Sequence, residues 1–470
     1  MDEEKTKGQQ LAEKILVKIE TLGERDNSIL ESSFEFCEGY KDFLNCKTER
    51  EIVDYTIPIL ESNGYTEYVL GKKYKPGDRF YMNNRNKGLI MVTMGKRPVS
   101  EGMRIGVSHI DSPRLDFKPN PLFECNGMAY FKTHYYGGIK KYQWFAIPLS
   151  LHGVVCTEDG RTVKITIGEE EGEPQFCVTD LLPHLARNQM KKPLAEAFDP
   201  ENLNILVGSW PFDDEKVPNK VKLNIMNILH EKYSISEKDF LTAELCAVPA
   251  AKPMDFGLDR SLIGAYGHDD SVCAYANLMA EINTKDTEYT TLTVFADKEE
   301  TGSDGNTGMR SFFFRDFLED IADAYDVKVR HVLQRSMCLS CDVNAAVDPA
   351  YMDVYEPTNC SHLGHGPVVS KYTGSGGKYS TNDASAETMG FLRDILDGAK
   401  IPWQVGELGK IDVGGGGTVA SEISLHNLDT VDIGVPVLSM HAPIEVVSKA
   451  DVHMLYLALK AFYESPKEKP

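Results

Sequence analysis

Residues 290–297, TTLTVFAD, are an apolar, β-branched run that ends in an acidic residue. The following residues 298–308, KEETGSDGNTG, are polar and rich in glycine, and a helical pattern covers 307–324. The run predicts a buried strand that is followed by a loop and then by a helix. If this unit repeats, the chain builds a mainly parallel central sheet covered by helices on both faces.

Similar units lie on either side of this stretch. The other helical patterns cover 271–283, 383–396 and Lys449–Glu464. The strand-like runs are GLIMVTMG (88–95), MRIGVSHI (103–110), VKVRHVLQRS (327–336), WQVGEL (403–408) and VDIGVPVLSM (431–440). The α/β alternation therefore extends over most of the chain and predicts that functional residues lie at the carboxyl ends of the strands.

The pattern changes between residues 116 and 245, where short strand-like runs are separated by turns. These runs are GMAYFKTHYY (127–136), FAIPLSLHGVVC (145–156) and TVKITIG (162–168), and a polar, loop-rich stretch follows them. A chain of 470 residues is too long for one ordinary core. We therefore expect a discontinuous catalytic domain, residues 1–115 and 246–470, interrupted by an inserted β-rich domain, residues 116–245.

Composition excludes some functions. The formal net charge of -21, from 50 basic and 71 acidic residues, argues against binding to nucleic acids. The amino terminus is charged and lacks the apolar stretch of a signal peptide, and its apolar residues up to Leu22 predict an amphipathic helix. With no apolar run of about 18 residues and with ten scattered cysteines, we expect a cytoplasmic protein with reduced thiols and no membrane contact.

Acidic or histidine residues end the strand-like runs repeatedly. The residues are His109 and Asp111, Asp270, Glu299 and Glu300, Asp342, and His441. A single histidine at such a place is more often a structural hydrogen-bonding group, and a pair of glutamates is more often a solvated surface. Their recurrence at strand ends that converge favours one metal site. Mixed histidine and carboxylate ligands suit zinc, with cobalt or manganese as alternatives.

The order and spacing of these motifs resemble those of one family. The motifs are H-x-D-S-P-x-L (109–115), G-x-x-D (267–270), D-x-E-E-x-G-S (297–303), S-x-D (340–342) and S-M-H (439–441). Together they resemble the aspartyl aminopeptidase and aminopeptidase I family of dizinc metallopeptidases, in its bacterial type. The resemblance covers nearly the whole chain. It implies an enzyme that hydrolyses the amino-terminal residue from peptides.

The resemblance also implies a role for each matching residue. His109, Asp270 and Asp342 would hold one zinc ion, with Asp270 shared between two ions, while Glu300 and His441 would serve the second ion or share in the pair. Glu299 would be the general base, and Asp111 would orient His109. The inserted domain would mediate dimerisation, and the dimers would assemble into a dodecamer.

Four further residues are candidates for substrate binding. The LPHLAR segment around His184 resembles the family, which implies that His184 reaches the active site of a neighbouring subunit. Lys378 and Tyr379 resemble a family segment near the substrate side chain, although helix capping by the residues that follow is the alternative. Gly417 lies in the glycine-rich stretch 412–418, which forms either a cradle for the substrate backbone or a tight turn.

One position departs from the family. Many members selective for acidic residues carry a histidine three residues after the ligand aspartate, and here Ala345 occupies that position. We therefore expect a preference for neutral or hydrophobic amino-terminal residues. The competing interpretations are another dizinc hydrolase, such as a deacylase or carboxypeptidase, and a scaffold protein that has lost activity.

Overall fold

The computed structural model describes residues 5–17 and 20–469; four helices precede the first strand, and helices and strands both occur in the rest of the chain. The helices are α1 (Lys7–Ile15), α2 (Leu22–Arg25), α3 (Ser28–Phe43), α4 (Glu49–Ser62), α5 (Leu194–Ala197), α6 (Lys220–Tyr233), α7 (His268–Asn283), α8 (Phe313–Ala324), α9 (Val329–Arg335), α10 (Ala386–Gly398), α11 (Ala420–Ser424) and α12 (Lys449–Glu464). The strands are β1 (Thr66–Glu67), β2 (Arg79–Asn83), β3 (Leu89–Thr93), β4 (Met103–His109), β5 (Arg114–Cys125), β6 (Met128–Tyr136), β7 (Leu149–Cys156), β8 (Thr162–Ile167), β9 (Cys177–Val178), β10 (Ile205–Gly208), β11 (Ala243–Pro249), β12 (Met254–Phe256), β13 (Leu262–Ala265), β14 (Thr290–Ala296), β15 (Met337–Cys341), β16 (Asn344–Ala345), β17 (Val368–Ser370), β18 (Gln404–Val405), β19 (Asp429–Gly434), β20 (Pro436–Val437) and β21 (Glu445–Ser448).

A nine-stranded sheet forms the centre of the fold, in the order β1-β2-β3-β14-β4-β15-β19-β17-β18. Its four middle strands, β14, β4, β15 and β19, run parallel to one another. Antiparallel pairings occur towards both sides, between β2 and β3, β3 and β14, and β17 and β19. The predicted α/β architecture with a mainly parallel sheet is confirmed.

Apolar cores lie on both faces of this sheet. In β15, Leu339 packs in a core with residues of α3, α7 and α12, whereas its neighbour Cys338 packs in a core with residues of α8 and α9. Successive side chains of a strand point to opposite faces, so one buried strand contributes to both cores. This explains why the strand-like runs are apolar throughout instead of alternating.

A second sheet contains seven strands, β8-β7-β11-β5-β6-β10-β9, all paired antiparallel. It has its own core, which includes Trp144, Leu149 and Phe240. Its strands lie between Arg114 and Pro249. This range contains the stretch for which the sequence predicts an inserted β-rich domain.

Two predictions of secondary structure are wrong. Residues 327–336 were expected to form a strand, but Val329–Arg335 is helix α9, and the strand is the next segment, β15. The buried residues of α9, Val329, Val332 and Leu333, have the spacing of one helix face, which a short apolar run conceals. The expected strand 403–408 is reduced to the two residues of β18.

The amino-terminal prediction is confirmed in part. Helix α1 is present, with Leu11 and Ile15 exposed, and no residue of it is buried. The predicted helix does not continue to Leu22, which is buried as the first residue of the separate helix α2. Residues 18 and 19 lie outside the described residues. Within 5–17 and 20–469, no helix has the length and apolar character needed to cross a membrane.

His152 of β7 connects the second sheet to the helical part of the molecule. Its Nδ1 lies 2.8 Å from Oε1 of Glu51 in α4, and its Nε2 lies 3.0 Å from Oε1 of Glu169. Burial alone would lower the pKa of His152, but the hydrogen bonds to Glu169 and Glu51 outweigh it and raise the pKa to about 9. The folded protein therefore binds this proton more tightly than the unfolded chain does.

We expect His152 to stabilise the protein in a pH-dependent way. Its contribution is fully present below the ordinary histidine pKa of 6.5 and is lost as the pH rises through about 9. A shift of this size corresponds to about 3 kcal/mol. In thermal melts, wild type should exceed His152→Gln most at pH 6, and the difference should shrink towards pH 10. His134→Gln, which changes an exposed histidine of β6, is the control; a pH-independent difference for His152→Gln contradicts the interpretation.

Candidate metal and catalytic site

The carboxyl ends of three neighbouring parallel strands bring the first site residues together. His109 is the last residue of β4 and is paired in register with Ala296 of β14. Glu299 and Glu300 follow β14 after a short turn, and Asp342 directly follows β15. Because these strands are parallel neighbours, their ends meet at one edge of the sheet.

Asp269 lies at the centre of the site. Its Oδ1 is 3.1 Å from Nε2 of His109, and its Oδ2 is 3.2 Å from Nε2 of His441. On the His109 side, Oδ1 of Asp342 lies 3.9 Å from the same Nε2. On the His441 side, Oε2 of Glu300 lies 3.4 Å from the same Nε2. One carboxylate is thus placed between two imidazoles, each with a further carboxylate beside it.

Two groups of residues have ligand atoms close enough to hold a metal ion. The first is His109, Asp270 and Asp342, and the second is His109, Asp269 and Glu300; within each group the atoms lie within 4.8 Å of one another. Asp269 and Asp270 are adjacent in the chain and are joined by a cis peptide bond. Both residues are buried.

The buried carboxylates fit a bound cation. Both carboxylate oxygens of Asp270 and Oε1 of Glu300 are buried without a hydrogen-bond partner in the described part of the chain. Burial raises the pKa values of Asp270, Glu300 and Asp342 well above their ordinary range. Several adjacent buried carboxylates are costly unless a positive charge compensates them. Their combination with two histidines is a donor set that zinc prefers.

The orientation of each histidine is fixed by a hydrogen bond to its other ring nitrogen. Nδ1 of His441 donates to the carbonyl oxygen of Gly138 over 2.7 Å. Nδ1 of His109 lies 2.9 Å from the carbonyl oxygen of Asp111 and 3.5 Å from its Oδ1. In both residues Nε2 is therefore directed to the carboxylates, which is the arrangement of a metal-binding histidine.

Asp111 also positions the two adjacent glutamates. It accepts hydrogen bonds from the backbone N–H groups of Glu299 (3.1 Å) and Glu300 (3.2 Å) and from the hydroxyl of Tyr136 (2.6 Å). Burial alone would raise the pKa of Asp111, but its interaction with His109 and the Tyr136 hydroxyl lowers it. Asp111 is thus a fixed anion that connects the ends of β4 and β14.

Glu445 plays a similar part on the other side of the site. Its carboxylate accepts the backbone N–H of Asp269 over 3.0 Å and that of His441 over 2.6 Å. Burial raises the pKa of Glu445 to about 8. Asp269, Tyr136 and Glu445 were not predicted from the sequence. The adjacency of Asp269 to Asp270 is the only signal that could have identified any of them.

Glu299 is more exposed than Asp342, Asp269 or Glu300, with 16% of its side chain exposed. Its Oε2 lies 3.9 Å from Nε2 of His109, and it lines a cavity of about 840 Å³. Burial, with the nearby Asp111 and Asp269 carboxylates, raises its pKa to about 7 against the opposing effect of His109. Bound cations would lower this value, since positive charge favours the ionised carboxylate.

The candidate substrate-binding residues have different positions. Gly417 lines the same cavity as Glu299. Lys378 instead pairs with Asp383 at 2.9 Å and lies 3.7 Å over the ring of Tyr372. Tyr379 is 71% exposed. His184 is also exposed, and within the described residues it makes no contact with the histidine and carboxylate cluster of its own chain.

Comparison with known proteins identifies the family. The model of the family described as aminopeptidase I zinc metalloprotease (M18) matches residues 43–463. A probable M18 family aminopeptidase 1 of Clostridium acetobutylicum is 47% identical over 446 residues, covering 93% of this chain and 96% of the relative. The crystal structure of an M18 family aminopeptidase of Thermotoga maritima matches with a TM-score of 0.91 and 40% identity, covering 95% of this chain and 99% of that chain.

A more distant neighbour has the same fold. The structure of the S. cerevisiae mApe1 dodecamer matches with a TM-score of 0.73 and 19% identity, over 91% of this chain and 96% of that chain. At this identity the likeness concerns the fold alone. The family model and the closer relatives show that this chain belongs to the M18 family of aminopeptidases, which are zinc metalloproteases.

Proposed function

We propose that this aminopeptidase uses two zinc ions per subunit, with Asp269 as the carboxylate shared between them. The observation that carries the proposal is that the two oxygens of Asp269 face two different histidines, His109 and His441, at 3.1 and 3.2 Å. A carboxylate that bridges two cations presents one oxygen to each. Cobalt or manganese are alternative metals for the same donors.

The remaining ligands are divided by their proximity to each histidine. Asp342 stands beside His109, and Glu300 stands beside His441. Asp270 was expected from its motif to be the bridging residue, but it has no described contact with His441. Its grouping with His109 and Asp342 makes it a candidate ligand for the ion on that side only.

We propose Glu299 as the general base. Zinc, when bound, supplies Lewis acidity that polarises the scissile carbonyl and lowers the pKa of water. Glu299 takes the proton of the attacking water and passes it to the leaving amine. The N–H of Glu299 donates to Asp111, so its backbone is held while its side chain remains free to move a proton.

We propose that the free amine of a substrate docks on the His441 and Glu300 side of the site, on the bound metal or on a nearby carboxylate. An amino-blocked peptide cannot make this contact. A deacylase or a carboxypeptidase does not need this contact. Comparing the hydrolysis of free and amino-blocked peptides therefore separates the proposed aminopeptidase from these two alternatives.

We propose a preference for neutral or hydrophobic amino-terminal residues. Ala345 provides no charge at the position where a histidine accompanies acidic selectivity in the resembling family. Lys378, the basic residue among the candidates for substrate binding, is already paired with Asp383. Comparison of Leu-, Met-, Lys-, Asp- and Glu-anilides tests this preference, and a strong preference for Asp or Glu overturns it.

Metal removal is the direct test of the proposed site. We expect a chelator to abolish hydrolysis of Leu-anilide by the purified protein and zinc, cobalt or manganese to restore it. Restoration should be complete at two metal ions per subunit, measured by titration against activity. Full activity in the chelated protein contradicts metal dependence, and full activity at one ion per subunit contradicts the dinuclear site.

We also propose that the protein acts as a cytoplasmic homo-oligomer built from dimers, with a dodecamer as the expected assembly. The segment that contains His184 exposes Leu182, Leu185 and Met190, an apolar surface suited to contact with another subunit. All ten cysteines carry free thiols, which is typical of the reducing cytoplasm. His184 would then reach the site of a neighbouring subunit.

A further inference from the structure

The cavity that begins at Glu299 extends well beyond the histidine and carboxylate cluster. Its volume of about 840 Å³ is within the range of small-molecule and peptide pockets. It runs past Gly417 and between the start of α8 and helix α11. His441 and Glu300 are absent from the residues that line it. The cavity therefore leads away from the side on which the free amine of a substrate is expected.

The position of Glu299 determines which part of a peptide would occupy the cavity. A general base that passes its proton to the leaving amine has to stand beside the leaving group. The residues that follow the scissile bond are therefore placed on the Glu299 side. This step rests on the proposed role of Glu299.

The charged residues of the cavity differ in their partners. Arg310 is compensated, because its guanidinium lies 3.3 Å from Glu422 and 3.5 Å from Asp304. Arg315, exposed on α8, has no carboxylate within 4.0 Å among the described residues. It acts on its surroundings electrostatically, since burial and the nearby Arg315 charge together lower the pKa of His426.

Helix stability does not explain why Arg315, which has no described carboxylate partner, lies where it does. Arg315 lies in the first turn of α8, where the helix dipole disfavours positive charge. In a chain with a net charge of -21, acidic residues are abundant, and Asp316 and Glu319 share its helix, yet no carboxylate of the described residues lies within 4.0 Å of Arg315. A guanidinium combined with the positive end of a helix attracts a carboxylate from outside the chain.

We infer that Arg315 binds the carboxyl-terminal carboxylate of short peptide substrates and that the cavity holds the residues between that carboxylate and the scissile bond. The apolar side chains of Phe312 and Leu425, both exposed in the cavity, provide contacts for the intervening residues. The enzyme accordingly favours short peptides with a free carboxyl end over their amides.

The test compares each peptide with its carboxyl-terminal amide. The substrates are Leu-Ala, Leu-Ala-Ala and Leu-Ala-Ala-Ala, each in both forms, assayed with the zinc-loaded full-length protein. We expect kcat/KM to favour the free carboxylate by about three- to fivefold at the length that reaches Arg315. The ratio should fall towards one in high salt, since salt screens an exposed charge pair.

Three variants separate the effect of Arg315 on the substrate carboxylate from the electrostatic effect of the other charged residues. Arg315→Gln should bring the ratio of free peptide to amide to about one, and Arg315→Lys, which keeps the charge, should preserve much of it. Arg330→Gln, which removes an exposed arginine of α9 outside the cavity, should leave the ratio unchanged.

The outcomes separate this inference from the proposed function. A ratio of one at every length in a wild-type enzyme that hydrolyses Leu-anilide overturns the inference and leaves the proposed function intact. An unchanged ratio in Arg315→Gln also overturns it. Loss of metal-dependent Leu-anilide hydrolysis in the wild type overturns the proposed function and the inference with it.

Discussion

The Glu299→Gln variant is expected to keep its metal and lose turnover by about two to four orders of magnitude, the usual contribution of a general base. Glutamine preserves the size of the side chain and removes its ability to accept a proton. The proposed metal-binding cluster should be unaffected, because the backbone hydrogen bond from residue 299 to Asp111 does not involve the side chain. The measurements are kcat for Leu-anilide and zinc content per subunit.

Two controls make the result for Glu299 specific. Glu300→Gln removes a carboxylate whose Oε2 lies 3.4 Å from Nε2 of His441, so zinc content should fall together with activity. Glu319→Gln removes an exposed carboxylate of α8 and should change neither. If Glu299→Gln keeps both zinc and full turnover, the base is another group; if it loses zinc, Glu299 acts as a ligand.

Most of the site was predictable because parallel strands fix where their ends meet. His109, Glu299 and Asp342 each follow an apolar run, and the register of β14, β4 and β15 brings them to one edge of the sheet. The periodicity of a buried strand is a local property that can be recognised without knowledge of its partners. The convergence then follows from the architecture alone.

The residues that were missed depend on tertiary contacts. Glu445 accepts the backbone N–H of His441, four residues before it, and also that of Asp269, which is 176 residues away in the chain. Tyr136 reaches Asp111 from the second sheet. Neither role leaves a pattern in the sequence, because the residue type alone does not indicate whether a carboxylate or hydroxyl is solvated or is buried in contact with the site.

The choice between Asp269 and Asp270 could not be made from sequence for a related reason. Both residues occupy the beginning of α7 with non-helical backbone angles, φ -80°, ψ 106° and φ -117°, ψ 30°. Which of two adjacent side chains points to the two histidines is decided by these angles. A motif that contains both residues gives no information about them.

The two residues are separated by matched substitutions to asparagine, which keep side-chain volume. Asp269→Asn is expected to weaken binding of both ions by more than about a hundredfold, beyond the usual effect of losing a supporting residue, and to abolish turnover. The reason is that each oxygen of Asp269 faces a different histidine. Asp270→Asn should weaken at most the ion beside His109 and Asp342.

Metal content and metal titration of the two purified variants check this expectation, with thermal melting of each metal-free protein to confirm folding. The N–H of residue 269 still donates to Glu445 after substitution, so the local backbone should be kept. If Asp269→Asn retains two ions while Asp270→Asn loses both, the bridging role returns to Asp270. In that case the motif would have identified the shared ligand correctly, and the contacts of Asp269 with His109 and His441 would be those of a residue that only orients the histidines.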